Sequence, residues 1–291
     1  MPKTDASAAF WFLLPLGITF VLFLFGPIVA SLLLSFTEYN ILRPPVFVGF
    51  DNVARLFRNP RILAIYGTTL RLVATLVSLH VTIGLILALC VHSIAERFHS
   101  VFRIVLYAPV ILTTASVAIA WNYMLNENFG VFNYLLGLVG AEPVRWLNSS
   151  RHVFTSIAMF SVWKFVGNSF VYYYIGLSSI PKTYSEAARI DGANAMQQFF
   201  RIKLPLLTPT IFFVFVILCI QAIQIFDEPF FITRGGPGDA SRTINLLIYE
   251  VAFQTYEMGL ASTIAMSLFV LLAVFTVIQM RVSRLWVNYD S

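Results

Sequence analysis

Six stretches of this 291-residue chain carry no Asp, Glu, Lys or Arg: 6–37, 72–95, 104–126, 165–181, 204–226 and 258–280. A helix that crosses the ~30 Å hydrocarbon core of a bilayer needs about 20 mostly apolar residues. All six stretches meet that length, the fourth by also taking in Lys164 and the residues before it. Composition agrees, with 58% of residues apolar and 11% charged, less than half the ~25% charge of a soluble domain. Such a chain cannot clothe itself in polar surface. The pattern predicts an all-α integral membrane protein with six transmembrane helices, at about 10–36, 67–92, 104–125, 153–177, 207–226 and 259–280. The whole of 1–291 is then one transmembrane domain, and no loop is large enough to be a soluble catalytic domain.

The first stretch, headed by Lys3, exceeds the ~7–15 apolar residues of a cleavable signal and reads as a retained anchor. Cys90 and Cys219 fall inside spans and read as small apolar fillers rather than a bridge. Net charge is +5, but the basic residues are scattered among loops, which excludes a nucleic-acid-binding patch. With the N-terminus inside, the loops would hold nine Lys and Arg inside and eight outside, so the basic bias that orients membrane proteins settles nothing here.

Between the spans, 51–61 reads as a short surface helix, 96–103 as a tight basic turn, and 129–140 as an interfacial helix too short to cross. The segment 178–206 is richer in signals. Thr183 followed by Glu186 has the spacing of a capping box, and Gly192 suits the left-handed end of the helix it would open. Asn194 with Gln197 repeats the box, and Pro205 and Pro209 stand where span five begins. The prediction is a helix–turn–helix lying across one mouth of the bundle, with Ala187, Ala188 and Ala193 exposed so that another protein can approach closely.

Glu186-Ala187-Ala188, Asp191-Gly192-Ala193 and then Ile202, Leu204 and Pro205 resemble the EAA loop of bacterial ABC importer permeases, most closely those of the maltose, lactose and glycerol-phosphate branch. Further pieces resemble that branch in order along the chain: Gly49 to Asn52 before span two, Arg103 to Pro109 into span three, Trp163-Lys164 with Gly167, and Thr233 to Pro237 after span five. Lys203 departs from the Thr usual before Leu-Pro. The resemblance implies a cytoplasmic coupling loop at 178–206 and cytoplasmic termini in a bacterial inner membrane. Its partners would be two ATPase subunits, a second permease and an extracytoplasmic solute-binding protein. Glu186 would face the ATPase cleft, with Ala187 and Ala188 packed closely, Gly192 permitting the bend, and Asp191, Ala193, Leu204 and Pro205 completing the motif. ATP and Mg would bind the partner, and the transport cycle would be alternating access. The plainer reading of Glu186 as a helix-capping residue stands beside this one.

None of the four lysines sits in a phosphate-binding Gly-Lys-Ser/Thr sequence, so hydrolysis belongs elsewhere and no cofactor is expected on this chain. The histidines lack metal-site spacing, and His80 reads as a packed interhelical donor. Gln221 and Gln224 share one face of span five, with Asp227 and Glu228 at its end, as a polyhydroxylated solute requires. Interhelical hydrogen bonding would explain the same glutamines. Tyr172, Tyr173 and Tyr174 offer planes for a sugar face or merely an interfacial belt. Lys164 fits a solute contact or a structural ion pair, and Arg71 a functional charge or one snorkelling to the interface. The rival function is an ion-coupled secondary carrier for a small polar solute, which needs paired intramembrane carboxylates or symmetric halves.

Overall fold

The computed structural model describes Thr4–Val287; Lys3 lies outside the described residues. The chain runs through α1 (Thr4–Phe20), a π-helical turn (Val21–Phe25), α2 (Gly26–Leu34), β1 (Thr37–Asn40), β2 (Arg43–Phe47), α3 (Asp51–Arg58) and α4 (Pro60–Ser93). It continues with α5 (His99–Ile111), α6 (Thr114–Met124), α7 (Val131–Leu138), α8 (Val153–Ser179), α9 (Lys182–Ile190) and α10 (Ala195–Gln198). A π-helical turn (Phe199–Lys203), α11 (Leu204–Ile223), a third π-helical turn (Pro229–Thr233), α12 (Ile244–Phe253) and α13 (Met258–Ser283) complete it.

Four helical stretches are long and apolar enough to cross a membrane: Ala8–Leu34, Pro60–Ser93, Ala195–Ile223 and Met258–Ser283. The expected third span is not one straight helix. Glu96–Ile111 and Thr114–Met124 meet at a 93° bend, and together they make a fifth span if counted as one. Pro109 lies two residues before the end of α5, where its missing N–H weakens the ladder. The fourth expected span is α8, whose 27 residues reach about 40 Å at ~1.5 Å per residue.

The fold departs from all-α at one hairpin. β1 pairs antiparallel with β2, Thr37 opposite Phe47 and Glu38 opposite Val46. Pro44 and Pro45 mask it in the sequence; of two adjacent prolines only one can face the open edge of the ribbon, and the register shifts between Glu38 and Asn40 opposite them. The ten-residue helix α12 was also hidden, being too short to stand out as a span. The 51–61 and 129–140 expectations correspond to α3 and α7.

Two compact units are discernible: Met1–Leu63 with Leu247–Leu271, and Ala64–Leu246 with Leu272–Ser291. In the first, Asn52 organises the end of α2. Its buried side-chain amide donates to the Ser35 carbonyl at 3.1 Å and the Thr37 carbonyl at 2.8 Å. Thr263 of α13 donates to the same Ser35 carbonyl at 2.9 Å, so the carbonyls left over at that helix end are answered.

The second unit is built around α8, buried on nearly every side: Ile157, Phe160, Phe170 and Tyr173 have no exposed surface. Small residues let the neighbouring helices approach. Gly167 lies against the Leu106 carbonyl of α5, where a Cβ would overlap it. Arg71 of α4 is exposed, with its guanidinium 5.5 Å from the Phe154 ring. Cys219 is buried, whereas Cys90 faces outward, contrary to its reading as a filler; both are free thiols.

Candidate solute cavity and coupling loop

Three helices of the second unit enclose a cavity of about 380 Å³, within the ~300–1,000 Å³ range of small-molecule pockets. α4 contributes Leu76, Val77 and His80; α8 contributes Ser161, Phe165 and Asn168. Gln221 of α11 joins Gln224, Asp227 and Glu228 just beyond its end. Gln221, Gln224 and Asp227 are exposed, so their polar ends are open to a ligand. Glu228 is buried and accepts a 3.4 Å hydrogen bond from Ser161. The His80 ring nitrogens lie 2.7 Å from the Leu76 carbonyl and 3.3 Å from the Ser161 carbonyl, bridging α4 and α8 as a packed donor would.

Three of the six path candidates, Gln221, Gln224 and Asp227, thus line one cavity. The other three do not. Tyr173 is wholly buried, its hydroxyl without a hydrogen-bond partner. Tyr172 sits edge-on to Phe213, with ring centroids 5.4 Å apart. Tyr174 is farther along α8, its hydroxyl 2.8 Å from His99 Nδ1. Lys164 points to the α5–α6 bend, where its ammonium donates to the carbonyls of Leu112 at 2.7 Å and Pro109 at 3.0 Å. It is neither an interhelical carboxylate pair nor a cavity group. Ser161 and Asn168 are the cavity residues the sequence reading missed. Their signal was available: they are seven apart and therefore on one face of an otherwise apolar helix.

The segment 178–206, the expected coupling loop, follows α8. Its first helix, α9, has Pro181 as N-cap with no side-chain cap bond, so the Thr183–Glu186 box does not form. Proline keeps the preceding Ile180 extended, and the helix begins immediately after it, which places Thr183 inside the first turn. The far end is as expected. Gly192 adopts φ +78°. The Gly192 N–H donates to Arg189 and the Ala193 N–H to Ala188, the paired bonds of a Schellman cap. The second box is complete: Asn194 accepts from the Gln197 N–H, and Gln197 Oε1 accepts from the Asn194 N–H, both at 2.9 Å.

Beyond it, α10 is one turn long and runs through Phe199–Lys203 into α11 rather than forming a separate helix. A π-turn lengthens the bond from the Leu204 N–H back to Phe199 just ahead of Pro205, absorbing the residue that cannot donate. Leu204 and Pro205 open α11. Glu186, Ala187 and Asp191 are exposed and Ala193 partly so, but Ala188 is turned inward and buried, contrary to expectation. At about 3.6 residues per turn, three consecutive positions fan over more than half of the helix circumference, and here the third turns inward. Tyr184, Ile190, Met196 and Phe200 stand exposed around them.

Lys182 begins α9 and pairs with Glu96 at 2.9 Å across the surface. Hydrogen bonding to Lys182 holds the Glu96 carboxyl below its ordinary range, and the same bond holds the ammonium above its own. The Glu96 contribution is lost as pH falls through the lowered value, and the Lys182 contribution as pH rises through the raised one. The tether therefore holds at neutral pH, weakly, because both groups are exposed.

An apolar helical bundle with a polar cavity and a capped, exposed loop between two long helices fits a transport subunit. Residues 80–286 match the family described as binding-protein-dependent transport system inner membrane component. The chain belongs to that family. Over 296 residues this permease is 35% identical to the probable ABC transporter permease protein YesP of Bacillus subtilis, covering 99% of this chain and 94% of that one. It is 30% identical over 283 residues to the trehalose/maltose transport system permease protein MalF of Thermococcus litoralis, covering 96% and 95%. The permease fold is shared with a bacterial ABC transporter involved in the import of the acidic polysaccharide alginate, at a TM-score of 0.88 and 22% identity over 98% of each chain.

Proposed function

We propose that this permease forms, with a second and similar subunit, the path by which a sugar enters a bacterial cell. An extracytoplasmic binding protein delivers the solute, and two cytoplasmic ATPase subunits, which bind the ATP and Mg, drive alternating access. The observation that carries the reading is the cavity, in which Asn168 of α8 and the amides and carboxylates of Gln221, Gln224, Asp227 and Glu228 at the end of α11 converge inside an apolar bundle. Hydroxyl groups of a saccharide are answered by such donors and acceptors. Relatives named for trehalose/maltose and for multiple sugars support the solute class.

In this reading α8 and the α5–α6 pair each cross once, which makes six spans with both termini cytoplasmic. The segment 178–206 then faces the cytoplasm as the coupling loop. Glu186 and Ala187 meet the ATPase, with Ala188 packing the helix from within. Asp191, Gly192 and Ala193 form the turn, while Leu204 and Pro205 transmit its movement to α11. Lys164, Tyr172 and Tyr173 are assigned to the supporting shell rather than to the path.

Purification of the tagged protein from its own membranes in mild detergent tests the assembly. The wild type should bring down an ATPase and a second permease. Glu186→Lys should lose the ATPase and keep the permease. Equal recovery of the ATPase by both versions would remove Glu186 from the contact, and recovery of the chain alone in several detergents would remove the assembly.

A further inference from the structure

Lys164 is the most deeply buried charge among the described residues, at 1% exposure. Its ammonium reaches the carbonyls of Leu112 at 2.7 Å, Pro109 at 3.0 Å and Val110 at 3.5 Å, with the Phe165 ring 4.9 Å away. These carbonyls belong to the last turn of α5 and the break beyond it, where the chain turns by 93°. The carbonyls that end a helix lack intrahelical donors and carry its partial negative charge. A cation placed there answers both.

What the bend positions is α6. Trp121 of α6 packs at 5.5 Å on Phe160 and 5.6 Å on Trp163. The next residue, Asn122, donates its side-chain amide to the Phe231 carbonyl at 3.1 Å. Phe231 belongs to the π-turn Pro229–Thr233, which begins directly after Asp227 and Glu228. Ile232 of the same turn packs with Ala118 and Trp121. A line of contacts therefore runs from Lys164 through the bend and α6 to the carboxylate rim of the cavity.

We propose that Lys164 is a positioning residue whose ammonium serves as a tethered cation, fixing the α5–α6 bend and through it the rim formed by Asp227 and Glu228. The inference rests on the cavity being the solute path. Broken helices in ion-coupled carriers hold a free cation on unwound carbonyls, and its departure is part of their cycle. A covalently attached ammonium fills the same kind of cradle but cannot leave, so the bend stays set whatever the salt.

Removing the side chain should convert the cradle into a vacant site for a small primary ammonium ion. In the assembled transporter reconstituted into liposomes, Lys164→Ala is expected to lower uptake about tenfold, the scale on which stranding a buried polar group acts. The Trp121–Trp163 contact should also loosen, shifting tryptophan emission to longer wavelength. Ethylammonium should restore both signals, and tetramethylammonium, which has the charge but no N–H, neither. Lys164→Met with wild-type uptake and emission would overturn the proposal, as would failure of ethylammonium to restore either signal.

If the alanine variant does not assemble, Asn122→Leu cuts the line downstream with the cradle intact. A several-fold rise in half-saturating solute is expected, and wild-type behaviour would overturn the relay. Failure of the cavity reading leaves a different trace. Gln221→Leu would then transport normally, while ethylammonium would still restore the emission of Lys164→Ala.

Discussion

A polar side chain inside an apolar helix is destabilising unless a partner answers it, so the partner defines its role. Tyr173 has none. Its hydroxyl is buried without a hydrogen bond, a situation that costs about 1–3 kcal/mol relative to solvent. Tyr173→Phe should therefore leave uptake intact and raise the thermal midpoint of the purified protein, by up to ~1 kcal/mol in stability. Gln221, exposed on the cavity wall, should behave in the opposite way. Gln221→Leu keeps the helix but removes one hydrogen-bonding partner of the solute, about 0.5–1.5 kcal/mol, or roughly twofold to just over tenfold in half-saturating concentration. A loss of uptake in Tyr173→Phe with none in Gln221→Leu would reverse the two assignments.

At the scale of elements, α8 is held by close approach at its glycines as well as by its large buried side chains. The Leu106 carbonyl occupies the place of a Cβ on Gly167, and a backbone atom cannot swing aside as a side-chain tip can. Gly167→Ala should destabilise by about 1–3 kcal/mol through overpacking. Gly137 of α7 has open space where its Cβ would be, and there the same change should stabilise by about 0.5–1 kcal/mol. Thermal unfolding of the two variants side by side checks the contrast, and equal shifts would deny the close packing.

What the sequence showed at this scale followed from local physics. Long uncharged runs located the principal helices, and the Asn194–Gln197 box and the Gly192 cap are written in adjacent residues. What it hid depended on distant ones. The bend between α5 and α6 leaves carbonyls that are taken up by Lys164, fifty-five positions beyond Pro109. Thr183 and Glu186 had box spacing, but Pro181 moved the helix start. Tyr172 and Tyr173 were indistinguishable from cavity residues until the packing of α8 decided which way they faced.

For the whole molecule, the number of crossings decides which loops meet the ATPase and which meet the binding protein. The basic residues do not decide it. Four helical stretches cross by composition and a fifth does so if the bent pair is one span, so the count turns on α8. Lys164 and the serines along α8 lower its hydropathy, yet Lys164, Ser156, Ser161 and Ser169 are buried against neighbouring helices and only Ser178 and Ser179, at the helix end, are exposed. Polar groups turned inward do not oppose crossing, because they never meet lipid. If α8 crosses, 139–152 and 178–206 lie on opposite sides; if it dips in and returns, they share a side. In a Cys90→Ser, Cys219→Ala background, Ser150→Cys should react with a membrane-impermeant maleimide in intact spheroplasts. Thr183→Cys should react only in inverted vesicles. Labelling of both from one side would make α8 re-entrant, leave five crossings, and separate the two termini across the membrane. Glu186 would then have to share a compartment with the 139–152 loop, and the coupling role proposed for it would fall with the topology.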